Sequence, residues 1–121
     1  MVLQAITLSP RDPAIGGFYW ITGRAYFVMK KYQDAIVWLR KAVEVSPFWF
    51  NRAYLLAAYT LTGQHQQPEG VLALSEYNGS FSQYTLQRIS DIYEKEFPHT
   101  DPGVQASIQE LYKGLRLAGV Q

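Results

Sequence analysis

The chain has 121 residues, 48% of them apolar and 17% charged, with a formal net charge of +1 and no cysteine. That is one domain's worth of chain, too apolar to be disordered. The missing cysteine excludes a disulfide framework, a thiol nucleophile and thiolate metal sites, and the near-neutral charge removes bulk electrostatics as a reason to expect nucleic acid.

In chain order, residues 1–10 carry an apolar helical pattern (Leu3, Ile6, Leu8) but no charged leader, so a signal peptide is not expected. A pattern that begins at Met1 reads as a segment of a larger protein. Ser9-Pro10 and Asp12-Pro13 make the first break. Residues 14–29 form a largely apolar segment of helical length, closed at Lys30-Lys31. Residues 32–45 place Tyr32, Ala35, Ile36, Leu39, Ala42 and Val43 on one wide stripe. After Ser46-Pro47, residues 48–62 are apolar nearly all round, the composition of a helix buried on several sides, and Gly63 ends them. Pro68 and Glu69 suit the first turn of a helix over 68–77, with Asn78-Gly79 as the next break. Residues 83–96 carry Leu86, Ile89, Ile92 and Tyr93 on one face. The last helix is expected to start with Asp101 as cap and Pro102 in its first turn. Its stripe is Val104, Ile108, Leu111, Tyr112 and Leu115, and Gly119 is its stop. No strand pattern occurs, and no apolar run is long enough for a membrane span.

Charge divides along the chain. Residues 1–60 hold 7 Lys/Arg against 3 Asp/Glu, and residues 61–121 hold 4 against 7. Solvated helical faces explain this, and a basic first half that steers an acidic partner is the alternative. The aromatic content is unusual at 15%, from 9 Tyr, 6 Phe and 3 Trp.

Within residues 16–47, Tyr19, Gly23 and Tyr26 are followed by Ala35, Leu39, Ala42 and Pro47. This order and spacing resembles one tetratricopeptide repeat, whose pattern runs Trp, Leu-Gly, Tyr, then Ala, a large apolar residue and a closing Pro. Tyr19 stands for the Trp, and Thr22 replaces the Leu. A worn copy follows over 48–79 at a period of about 33: Tyr26 maps to Tyr59, Tyr32 to His65 and Leu39 to Leu72, while Leu56 replaces the Gly and Pro68 an Ala. Residues 1–10 match a closing half repeat, with Ala5, Ile6, Leu8 and Pro10 against Ala42, Val43, Val45 and Pro47. Residues 82–121 supply two further, capping helices. The resemblance implies a single all-α domain of antiparallel helix pairs, stacked as a short right-handed superhelix. More narrowly, 8–13, the good repeat and 111–120 are similar to the C-terminal repeat region of bacterial signalling proteins. In those proteins an adenylate/guanylate cyclase or DNA-binding domain precedes the repeats.

The family lines a concave groove with its first helices. Here that groove is expected to carry Gly17, Trp20, Arg24 and Phe27, and one period later Phe50, Ala53, Ala57 and Thr60. It lacks the Lys/Asn set that some members use to clamp a terminal carboxylate. A peptide or helix is the expected occupant. The alternatives are cover by the last helix or by a second copy of the chain, for which Phe48 and Trp49 form an interface patch. No catalytic, cofactor-binding or metal-binding residue is expected. His65 and His99 lie on separate turns, Asp91, Glu94 and Glu96 fit a solvated helix end, and Gly16-Gly17 has no phosphate-loop context. The expected function is thus a cytoplasmic protein-interaction module without cofactor, nucleic acid or enzyme activity. A self-association spacer and the regulatory tail of a nucleotide cyclase are the alternatives.

Overall fold

The structure, a computed structural model, describes residues 15–46, 48–64, 66–96 and 102–120. Its order is α1 (Ile15–Val28), α2 (Tyr32–Val45), α3 (Trp49–Leu61), α4 (Pro68–Phe81), α5 (Leu86–Glu96) and α6 (Pro102–Leu117). The described residues form helices and their connections, an all-α fold of packed helix pairs. The expectations for the 1–10 half repeat, His65, His99 and the Asp101 cap lie outside the described residues, as does the Val104 side chain.

The pairing of α1 with α2 follows from two glycines seven residues apart. A Cβ on Gly16 would stand 3.1 Å from the Ser46 side chain, and one on Gly23 would stand 2.7 Å from Leu39 Cγ. Early α1 therefore meets late α2, and late α1 meets mid α2, which is an antiparallel pair at close range. Ala35, Leu39 and Ala42 of α2 are fully buried in this seam.

Three helices end the same way. Lys31 N–H donates to Tyr26 O, Gln64 N–H to Tyr59 O and Val120 N–H to Leu115 O, at 2.8–3.0 Å. The reversal needs a left-handed residue. Gly63 (φ 74°) and Gly119 (φ 95°) provide it, both as expected from sequence, but α1 uses Lys30 at φ 61°.

Helix α3 is the centre of the core. Asn51 and every residue from 53 to 60 are buried, as its all-round apolar composition requires. Asn51 Nδ2 donates to Ser46 O at 2.6 Å and ties the start of α3 to the end of α2.

The worn repeat departs from its expected register. Leu72, matched by period to the buried Leu39, is 58% exposed, and Ala73 takes the inner place with Gly70 and Tyr77. Two causes act together. By period, buried Leu56 stands where Gly23 lets Leu39 approach in the first pair, so the second pair has no such gap for Leu72 to enter. In addition, the connection from α3 to α4 is longer than the turn from α1 to α2, so the inward face of α4 no longer keeps the period of α2. The break expected at Asn78-Gly79 is also absent, because α4 continues to Phe81. The continuation is held by side-chain contacts across the end of the helix: buried Tyr77 donates its hydroxyl to Tyr84 O at 2.7 Å, and Phe81 packs between Tyr77 and Tyr84.

Helix α5 presents Leu86, Ile89, Ile92 and Tyr93 inward, with Ile89 fully buried. Helix α6 begins at Pro102 and buries Leu111 and Leu115 in the core with α3, while buried Ile108 lines the cleft beside α5. Among the described residues no helix is long and apolar enough to cross a membrane.

Candidate partner-binding face

The eight residues expected to line a groove are brought to one side of α1 and α3, but not as an open groove. Phe27, Ala53, Ala57 and Thr60 are shut inside the protein, Trp20, Arg24 and Phe50 are half-buried, and Gly17 alone is fully exposed. The covering element is α6. At Gly114 its backbone lies so close to α3 that a Cβ there would stand 2.7 Å from Ala57 Cβ and 2.8 Å from Ala57 Cα. Two residues without bulk, Gly114 and Ala57, are what allow the helices to approach to this distance. The apolar stripe of α6 thus fills this side of α1 and α3.

Aromatic rings build the floor of the face. Trp20 lies 4.6 Å from Phe50 and 5.1 Å from Tyr54, centroid to centroid. Phe27 stands edge-on to Tyr54 at 4.9 Å and to Tyr32 at 5.1 Å. Such tilted pairs contribute beyond the area they bury. Tyr32 then ties the floor to its cover by donating to Glu110 Oε2 of α6 at 3.2 Å. Burial, with the Glu110 carboxylate beside it, pushes the Tyr32 phenol up to about 12. The Tyr54 and Tyr93 hydroxyls lie 3.4 Å apart and link α3 to α5. Burial pushes the Tyr93 phenol up, the nearby Tyr54 adds to this, and the charge of Arg24 opposes it.

The expected interface patch divides. Trp49 stacks flat on Tyr84 at 4.8 Å and meets Tyr93 edge-on, so the entry to α5 takes it up. Phe48 stacks on Phe50 at 5.4 Å yet remains 59% exposed.

Two clefts flank α3 and α6. One of about 400 Å³ lies between α5 and α6 and is lined by Ser90, Tyr93, Glu94, Gln105, Gln109 and Tyr112 among others. The other, of about 310 Å³, lies among α2, α3 and α4, where Arg52 pairs with Glu76 beside Arg40, Glu44, Tyr59 and Glu69. Among the described residues no three of His, Asp and Glu gather as metal ligands would.

Sequence reasoning missed Gly114, Glu110 and Tyr84. Gly114 left a signal, a glycine on a helix between the core residues Leu111 and Leu115, where only a close neighbour justifies its cost to the helix. Glu110 and Tyr84 left none, since their partners are 78 and 35 residues away. No family model matches the chain, and no curated protein or solved structure matches it either.

Proposed function

We propose that this chain is a protein-interaction module of the helical-repeat kind, whose α1–α3 face receives an amphipathic helix. The observation that carries the proposal is α6 itself, seated on that face with Gly114 against Ala57. A face that holds one amphipathic helix at this distance has the shape and apolar floor to hold another of the same pattern. The partner is thus a protein helix with apolar residues spaced like Ile108, Leu111 and Leu115 and a small residue in the place of Gly114. It competes with α6 rather than entering a vacant groove. The role is one of binding, not catalysis, and the setting is the cytoplasm, within a larger signalling protein. The resemblance of 8–13, residues 16–47 and 111–120, taken together, to the repeat region of bacterial signalling proteins supports that setting.

The test uses a labelled peptide with the sequence of residues 102–117. Gly114→Leu in the full chain should loosen the resident α6, because the added side chain meets the α3 backbone. Fluorescence anisotropy should then show the peptide binding this variant at least tenfold more tightly than the wild type. Adding Ala57→Leu should remove the binding. A Gly114→Leu chain that keeps its helical circular dichroism and captures no peptide refutes the proposal.

One observation favours a second reading, self-association. Phe48 is a large ring, 59% exposed, stacked on a second ring at the edge of the same face. Such a patch suits a copy of the chain. Light scattering decides this reading: a monomer at high concentration removes it.

A further inference from the structure

The cleft of about 400 Å³ between α5 and α6 has no part in the binding of a helix on the α1–α3 face. Leu111 and Leu115 turn the core side of α6 toward α3, and a neighbouring side of the same helix lines the cleft with Ile108, Gln109 and Tyr112. Across from it α5 contributes Ser90, Tyr93 and Glu94. Ser90 and Glu94 are four apart on α5, and Gln109 and Tyr112 three apart on α6, so each pair shares a face. The volume is that of a small-molecule site.

The walls are chemically mixed. Buried Ile108 offers an apolar surface, two tyrosine rings stand beside it, and Ser90, Glu94 and Gln109 bring polar oxygens. Tyr93 is held in place, with its hydroxyl 3.4 Å from that of Tyr54 and its ring edge-on to Trp49. Among the described lining residues Glu94 carries the only charge. It stands in the last turn of α5, which ends at Glu96, so the partial negative charge of the helix's carbonyl end adds to the carboxylate. Its charge acts on the Tyr112 phenol, which Ser90 also hydrogen-bonds. The positive charge of Arg24 acts on the Tyr93 phenol instead. The negative end of the cleft is therefore the corner of Ser90, Glu94 and Tyr112.

We propose that this cleft binds a primary alkylammonium group, with its N–H donors on Glu94, Ser90 and Gln109, its charge beside the Tyr112 ring and its apolar stem on Ile108. Each feature rejects another class of ligand. An anion would meet the Glu94 carboxylate. A hydrocarbon would strip water from that carboxylate and return no hydrogen bond. A quaternary ammonium gains from the rings but has no donor for the oxygens. A free amine and a lysine side chain of a protein present the same group.

Titration of the full-length, 15N-labelled chain with n-butylammonium at constant ionic strength tests this by NMR. Saturable shifts are expected at Ser90, Glu94, Gln109 and Tyr112. n-Butanol, the same stem without the charge, should bind at least about fivefold more weakly, as should tetramethylammonium. Glu94 is exposed, so Glu94→Gln should keep its helical circular dichroism and weaken n-butylammonium at least about fivefold. Glu69→Gln, which alters a carboxylate of the other cleft, should leave the affinity unchanged. Nα-acetyl-lysine methylamide separates the sources: tighter binding than n-butylammonium assigns the site to a lysine side chain, and weaker binding to a free amine. The proposal is overturned by shifts that do not saturate below about 0.1 M, by n-butanol or tetramethylammonium binding as tightly as n-butylammonium, or by an unchanged affinity in Glu94→Gln.

Discussion

Replacing Gly114 by alanine sets two effects of known size against each other. Helix propensity favours the change by about 1 kcal/mol, because alanine is the best helix former and glycine among the worst. Packing opposes it. The new methyl would stand 2.7 Å from Ala57 Cβ, 2.8 Å from Ala57 Cα and 2.9 Å from Ala57 O. Two of these three are backbone atoms of the most buried helix, so no rotamer change relieves them. To reach an ordinary contact, α6 must retreat by most of an ångström, and Leu111 and Leu115 retreat with it. Overpacking of this kind costs about 1–3 kcal/mol, and each of the two leucines loses part of the roughly 1.5–3 kcal/mol its burial contributes. The expected net loss is about 1–2 kcal/mol. At about 4 °C per kcal/mol for a chain near this size, Tm should fall by about 4–8 °C. Urea denaturation followed by circular dichroism measures the same quantity. Ala57→Gly removes the nearest atom, so Gly114→Ala combined with Ala57→Gly should lose at least about 0.5 kcal/mol less than the two single changes together. A Gly114→Ala protein as stable as the wild type, or more so, would mean that α6 does not lie against Ala57, and the account of the covered face would fall with it.

Three further outcomes follow from particular residues. Gly79 lies inside α4 with open space where its Cβ would be, so Gly79→Ala should raise stability by about 0.5–1 kcal/mol; a loss in the same urea assay would show that α4 stops short of it. Lys30 holds the left-handed turn after α1 at φ 61°, so Lys30→Gly should stabilise by about 1 kcal/mol, and an unchanged Tm would contradict that turn geometry. Burial raises the phenols of Tyr32 (to about 12), Tyr59, Tyr77, Tyr93 and Tyr112 above their ordinary value near 10. A phenol whose pKa is higher in the fold is held protonated by it, so this stability is whole below pH 10 and is lost as pH rises through 12. Tm should stay level up to about pH 10 and fall above it, less steeply in Tyr32→Phe, and tyrosinate absorbance should lag that of the unfolded chain; a Tm unchanged to pH 12 refutes this.

Much of the fold was legible because its causes are local. The stripe of 32–45 matches α2, Pro68 opens α4, and Gly119 closes α6 where expected. Gly23, within the repeat-like pattern, announced close approach of α1 and α2, whereas the approach at Gly16 shows only in the fold. Where reading by pattern failed, side-chain contacts beyond the turn signal itself had outweighed it. Asn78-Gly79 is a turn signal, yet the Tyr77 hydroxyl and the Phe81 ring carry α4 through it. Leu72 occupies the place of Leu39 by count and points to solvent, because Leu56 closed the gap and the longer connection re-aimed α4. The aromatic excess divides in the same way. Tyr26 and Tyr32 pack against the core and Tyr59 lies within it, whereas the stack of Trp49 on Tyr84 joins two elements that no local pattern relates.

The sequence by itself determined six helices, their approximate spans, the antiparallel closeness of α1 and α2, and the cluster of rings on one side of α1 and α3. These depend on periods of 3.6 residues, on caps and on missing side chains, all of which act within a few turns of chain. Only the tertiary structure decided whether that ring-lined side is open or filled. The answer rests on α6 meeting α3 at Gly114 and Ala57, 57 residues apart, and on Tyr32 meeting Glu110 across 78. An amphipathic stripe states that a face must be buried but not against what, because burial is rewarded wherever water is excluded. The choice among available faces is made by shape, and here a glycine over an alanine makes it.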